Sequence, residues 1–318
     1  PFIPLERRLG LTLAHLKAAA DFQQPVVLST KSPDVAEDRV IEVLRVGPSA
    51  VQISLATTSN EFARAMDRGV ASPALRLDAM RRLAEAGVSV SCRIQPVFPG
   101  RENEVYDLIS ACAEIGVKHI AVETLKVPVE TAWAQRSSVN ALLKRDVVAD
   151  FLSRGADRVG REWILPVVDR LDFMLGVRAH ARSLGLTFGA ADSDLLHLSD
   201  GGVCCSGVDL LGLGSGFQYN FLEAIRRRDQ DLKFGLHSLE SVWAPDRSIG
   251  QYVNSNSRIP KASVREYLAR AWNGSANGCS PMAFYGVEKA GEVDGRGYNF
   301  YRLTSEVDRL MGGARGAA

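Results

Sequence analysis

The chain has 318 residues, and its 38 lysines and arginines nearly cancel its 37 aspartates and glutamates. That length suits one large α/β domain with or without an extension, and the balance excludes bulk charge as a means of recognising nucleic acid, leaving that partner without support beyond a local patch. No run of about 18 apolar residues and no signal-peptide pattern is present, and five scattered cysteines make no disulfide framework, so the expectation is a cytoplasmic protein without a membrane partner.

In chain order the patterns alternate. A helix is expected over 5–22, a strand over 26–31, a helix over 35–46, a strand over 51–57, a helix over 73–86, a strand over 88–96, a helix over 103–115 and a strand over 119–124. The third helix is the best marked: Ser72 can cap it, Pro73 suits its first turn, Leu77, Met80, Leu83 and Ala84 form its stripe, and Gly87 ends it. This rhythm belongs to an α/β protein with a parallel sheet or barrel, its strand carboxyl ends on one rim. Further on, helical stretches over 137–154 and 166–184 lead to a strand-like segment over 186–191. Residues 192–318, with a basic helix over 221–228 and an aromatic-sprinkled tail, read as a carboxyl-terminal extension to a barrel domain at 1–191.

The strands carry polar side chains on one of their two alternating faces. These are Ser29 and Lys31, then Gln52 and Ser54, then Ser89, Ser91, Arg93 and Gln95, then His119 and Glu123. Strand side chains alternate with period 2, so each set points one way while Val, Ile and Leu point toward covering helices. A parallel sheet covered on both faces would instead be apolar almost throughout. The polar face is therefore expected to line something wet or ligand-filled.

At the carboxyl rim, where barrels of βα units hold their active sites, stand Lys31, Ser54, Gln95 and Glu123. Arg93, between Ser91 and Gln95, needs an anionic partner, either Glu123 or a ligand. The set suits a carboxylate or phosphate. Cys204 and Cys205 have no CxxC spacing to complete a metal site, and Gly212-Leu-Gly214-Ser-Gly216 lacks the full phosphate-loop pattern. Cys112 shares a helical face with Val105, Leu108, Ile109 and Ile115 and reads as a small core residue. The Arg226-Arg227-Arg228 run reads as a solvated helix face.

Five motifs in register over residues 1–125 resemble a known family. They are Pro1-Phe2-Ile3-Pro4-Leu5-Glu6, Thr30-Lys31-Ser32, Val51-Gln52-Ile53-Ser54, Arg76-Leu77 with Leu83-Ala84-Glu85-Ala86-Gly87, and Arg93-Ile94-Gln95-Pro96-Val97-Phe98-Pro99-Gly100. The family is the radical S-adenosylmethionine (SAM) superfamily, in the branch of spore photoproduct lyase and related "DNA repair photolyase" proteins. The resemblance implies an incomplete (β/α)6 partial barrel that holds S-adenosylmethionine and a [4Fe-4S] cluster and generates a 5'-deoxyadenosyl radical, with an electron donor such as flavodoxin or ferredoxin. It also implies that Lys31 and Ser54 hold the amino-acid end of the cofactor, with Arg93 and Gln95 near its carboxylate or ribose. The family's CxxxCxxC cluster ligands are absent from this sequence, so no metal ligand is assigned. The expectation is an amino-terminally incomplete piece, starting at the family's third strand, with the cluster ligands upstream.

Two other readings fit the residues. One is a Schiff-base aldolase with Lys31 as nucleophile, Glu123 as proton shuttle and Arg93 on a phosphate. The other is a non-catalytic S-adenosylmethionine-binding module.

Overall fold

Helix and strand alternate from the start in the computed structural model, which describes residues 2–3, 5–67, 69–130, 136–201, 207–212, 221–228, 231–242, 264–274 and 280–312. The first expected helix is two, α1 (Glu6–Leu9) and α2 (Leu11–Asp21), because Gly10 adopts a left-handed φ of 63° that ends α1 and turns the chain. Next come β1 (Val26–Thr30), α3 (Asp38–Val46), β2 (Ser49–Ser54), α4 (Asn60–Met66), α5 (Pro73–Glu85), β3 (Ser89–Val97), α6 (Glu102–Glu114) and β4 (His119–Thr124). Lys31 lies one residue beyond its strand, and Leu55, Ala56 and Thr57 lie outside β2.

Helix α4 was not expected. Its one sequence signal is Ser59, whose side chain accepts from the Phe62 N–H at 3.3 Å and so caps the first turn. The expected caps of α5 are in place, with Ser72 accepting from the Leu75 N–H and Pro73 in the first turn. Its buried face differs from the expected stripe: Pro73, Arg76, Ala79, Met80 and Leu83 face inward, while Leu77 and Ala84 are half-buried.

After β4 the chain makes an inserted subdomain. It contains β5 (Val127–Pro128), α7 (Arg136–Leu143), α8 (Val147–Ser153), β6 (Asp157–Val159) and β7 (Glu162–Ile164), the three strands forming an antiparallel sheet. The single helix expected over 137–154 is broken by Lys144 at φ 54° and restarted by Asp146, whose carboxylate accepts from the N–H groups of Val148 and Ala149. Val127, Val139, Val147, Phe151 and Leu165 pack with Phe62, Phe98 and Leu125 in a small core of their own. Then α9 (Leu171–Ser183) and β8 (Thr187–Ala190) resume the main rhythm.

Strands β1, β2, β3, β4 and β8 form one parallel sheet in that order. This is the expected incomplete α/β barrel wall, with residues 186–191 supplying its fifth strand. Leu28, Val51, Ile53, Val90, Cys92, Ile94, Ile120, Val122 and Phe188 are all buried on its strands, as are Val40, Leu44, Met80, Leu83, Leu108, Ile109, Met174 and Val177 on the helices. Each such side chain contributes about 1.5 to 3 kcal/mol relative to exposure. Cys112 belongs to this core; its thiol against Cys92, together with burial, pushes the Cys92 thiol well up, as befits an unreactive pair.

The chain divides into two compact units, Pro1–Asp192 with Cys204–Gly212, and Ser193–Val203 with Leu213–Ala318. Within the second lie α10 (Phe221–Arg226), β9 (Lys233–Phe234), α11 (Val264–Trp272), β10 (Val287–Val293), β11 (Asn299–Leu303) and α12 (Ser305–Gly312). Its strands pair antiparallel in the order β10-β11-β9. The aromatic residues expected to dot a tail are this unit's core: Trp272 and Tyr301 are fully buried, and the Tyr301 hydroxyl donates to the Trp272 carbonyl at 2.5 Å. The basic run is neutralised, Arg227 by Glu223 at 2.6 Å and Arg228 by Asp308 at 2.6 Å, while Arg226 donates to the Gly201 carbonyl.

Candidate functional site

Register places the polar face of the parallel sheet in two levels. At the lower level Ser29, Gln52, Ser91 and His119 stand side by side across β1 to β4. Ser29 Oγ donates to Gln52 Oε1 at 3.2 Å, Gln52 Nε2 donates to Ser91 Oγ at 3.4 Å, and Ser91 Oγ lies 2.8 Å from His119 Nδ1. Gln52, Ser91 and His119 are at most 3% exposed. Gly207 sits directly on this ladder at φ 75°; a Cβ there would lie 3.0 Å from the Ser91 Cβ, so a larger residue would be strained in backbone and crowded against the ladder. The expectation that the whole polar face meets ligand is corrected here, because these groups satisfy one another.

The upper level opens. Ser54 is level with Arg93, Gln95 follows Arg93 along β3, and Glu123 ends the polar face of β4. With Lys31, Asp67, Arg76, Lys126 and Glu162 they line one cavity of about 500 Å³, whose apolar side is Leu55, Ala63, Met66, Leu125 and Pro128. Lys31, Ser54, Arg93 and Gln95 are therefore all brought together.

The cavity is dense in charge of both signs. Glu123, 8% exposed, is held between Arg93 at 3.3 Å and Lys126. Burial disfavours the Lys126 ammonium, but Glu123 against it, with Asp192 and Glu162 beyond, overrides that and raises its pKa above the ordinary lysine value. Lys31 is ion-paired with Asp67 at 2.5 Å, the two side chains 44% and 34% exposed. A half-exposed lysine paired with a carboxylate has no apolar surroundings to activate it as a nucleophile, so the aldolase reading is not favoured.

Arg76 is the residue the sequence pattern missed as a site group. It is 3% exposed, its Nη1 donates to the Ser54 carbonyl at 2.9 Å and its Nε to the Ala71 carbonyl at 3.0 Å. Its Nη2, like Arg93 Nε, makes no hydrogen bond among the described residues. Burial lowers its pKa, with Asp67 and Cys92 opposing. The signal that could have found it is a charge at an inward position of α5. Asp67, Lys126 and Glu162 were also missed; Asp67 follows a short helix, Lys126 follows β4 and Glu162 opens the three-residue β7, where no periodicity reports orientation.

Unsatisfied guanidinium nitrogens beside a lysine, a serine and a glutamine fit a zwitterionic, hydroxyl-rich ligand such as S-adenosylmethionine. A cluster is another matter. Among the described residues no group of three His, Cys, Asp or Glu side chains is placed to hold a metal, and Cys204 and Cys205 lie outside those residues. Nor is any described helix long and apolar enough to cross a membrane.

Comparison with solved structures gives a doubly substituted spore photoproduct lyase with bound AdoMet and dinucleoside spore photoproduct, 14% identical over 58% of this chain and 56% of that one, with a TM-score of 0.45. Streptococcus suis SuiB is 14% identical over 56% of this chain and 35% of that one, with a TM-score of 0.39. The chain spans about half the length of the spore photoproduct lyase structures it matches. No curated protein matches it. Residues 5–112, which carry the sheet's first three strands and the cavity's Lys31, Ser54, Arg76, Arg93 and Gln95, match the model of the radical SAM superfamily.

Proposed function

We propose that this chain binds S-adenosylmethionine in the cavity at the carboxyl ends of its parallel strands and serves a radical enzyme of spore photoproduct lyase type. The observation that carries this is the meeting of Lys31, Ser54, Arg93 and Gln95 in one cavity with unsatisfied nitrogens on Arg76 and Arg93. In this reading Lys31 and Ser54 hold the amino-acid end of the cofactor, while Arg93 and Gln95 reach its carboxylate or ribose. Arg76 fixes the Ser54 carbonyl and so the end of β2. Glu123, clamped by Arg93 and Lys126, holds Arg93 in place. Lys31, Ser54, Arg93 and Gln95 would hold S-adenosylmethionine, which would supply 5'-deoxyadenosyl radical chemistry only where an external one-electron donor reduces it.

The [4Fe-4S] cluster expected of the family finds no ligand set among the described residues, and no step is drawn through it. A cytoplasmic setting and an electron donor such as flavodoxin or ferredoxin belong to the same reading, as does lyase activity on a substrate not yet identified. Calorimetric titration of the chain with S-adenosylmethionine tests it: saturable binding that Ser54→Ala and Gln95→Ala weaken is expected, and no binding by the wild type ends it. Anaerobic assay of the full-length protein with dithionite then separates two outcomes. Release of 5'-deoxyadenosine supports the radical enzyme; binding without release favours the non-catalytic module.

A further inference from the structure

The inserted subdomain enters and leaves the main sheet at one point. Thr124, the last residue of β4, donates its hydroxyl to Asp192 Oδ2 at 2.8 Å and its N–H to the same oxygen at 3.4 Å. Arg170, just before α9, places Nη1 3.2 Å from that oxygen and donates from Nε to the carbonyl of Leu165, the end of the insert, at 2.9 Å. The two charged side chains are 3% and 1% exposed. Both feet of the insert are thus tied to one buried ion pair beside the end of β8, Thr124 directly to the Asp192 carboxylate and Leu165 through Arg170.

Taking a charge pair out of water costs several kcal/mol per ion before their attraction is counted, so such a pair is a poor means of gaining stability and a good means of fixing geometry. What it fixes here is visible in the pairing. Val127 lies opposite Trp163 and Pro128 opposite Glu162, which stands Lys126, Pro128 and Glu162 along the cavity. Those residues form the part of its lining that the insert supplies.

We propose that Arg170 and Asp192 are positioning residues: their buried pair clamps both feet of the insert and so sets Lys126 and Glu162 as the wall of the cavity facing the strand-borne side chains. The clamp itself does not depend on what the cavity binds; only its value to a reaction rests on the function proposed above. It acts on the insert and not on the sheet, and that locality is what an experiment can read.

The test compares wild type with Asp192→Asn by hydrogen exchange and by competitive acetylation, each with and without S-adenosylmethionine. The amide of Val127 and those of β7 are expected to exchange at least about tenfold faster in the variant, those of β2 and β3 at unchanged rates. Lys126, 17% exposed in its ion pair, is expected to acetylate about fivefold faster while Lys31 does not change. Unchanged exchange in the insert, or loosening spread equally into β2 and β3, overturns the proposal. Should Asp192→Asn fail to fold, Thr124→Val removes one tie only and is expected to give the same local pattern at about threefold; no change there also overturns it. A wild type that fails to bind S-adenosylmethionine defeats the functional reading and leaves this comparison intact.

Discussion

Two levels of one sheet face, on the same strands and less than one strand length apart, meet opposite fates. Gln52, Ser91 and His119 are as polar as Ser54, Arg93 and Gln95, yet the first three close on one another and under Gly207, while the second three open on a cavity. Alternating polarity thus marks a face that cannot be ordinary core, but not which part of it works. Hydrogen-bond saturation separates the two: a completed buried network specifies register and holds the strands, and an uncompleted one waits for a partner.

Substitutions can break that contrast. The largest effect is expected at Arg76, which serves both sides of it: Arg76→Met should lower unfolding free energy in urea by about 3 kcal/mol, because the Ser54 and Ala71 carbonyls lose a charged donor in a buried place, and should weaken S-adenosylmethionine binding as well. At the lower level, Ser91→Ala and His119→Leu should each cost about 1 to 3 kcal/mol by orphaning a buried partner. The double variant should cost less than their sum, with cofactor affinity unchanged. Equal loss of affinity there would show that the ladder is part of the site.

At the upper level the signs reverse. Ser54→Ala and Gln95→Ala should change stability by less than about 0.5 kcal/mol and lower affinity by about tenfold, which is about 1.4 kcal/mol. Lys126 supplies a pH test. Its folded pKa is raised, so its contribution is fully present below the ordinary lysine value of about 10.4 and is lost as pH rises through the higher folded value. The stability difference between wild type and Lys126→Met should therefore stay flat from about pH 7 to 9 and shrink only in stronger alkali. Lys31→Ala is expected to lower stability by at most about 1 kcal/mol, discounted by salt, since its ion pair with Asp67 is exposed.

Much of this was legible in the sequence for stated reasons. Period 2 in Val88 to Gln95 placed Val90, Cys92 and Ile94 in the core and Ser91, Arg93 and Gln95 opposite, as they lie. Ser54, Arg93 and Gln95 follow from that pattern, and Lys31 from the end of its strand. What stayed hidden depends on registers between strands, which no single strand reports: only pairing shows Ser91 level with Gln52 and His119. Arg76 was hidden by helix phase, one position from the expected stripe. Strands β5, β6 and β7, of two or three residues each, are too short for any period to show. Strand β10 escaped because Glu288, Lys289, Gly291, Glu292 and Val293 leave it mostly exposed, with no apolar face to read.

At the outer margin of the parallel sheet, β1 pairs with β2 alone among the described residues. Val26 and Val27, half-buried, and Leu28, buried, have no strand partner on their other side among the described residues, and an unpaired margin is the kind along which chains join. Preparations of this polypeptide should self-associate through that margin as they are concentrated, and a lysine at Val27 should keep them dispersed.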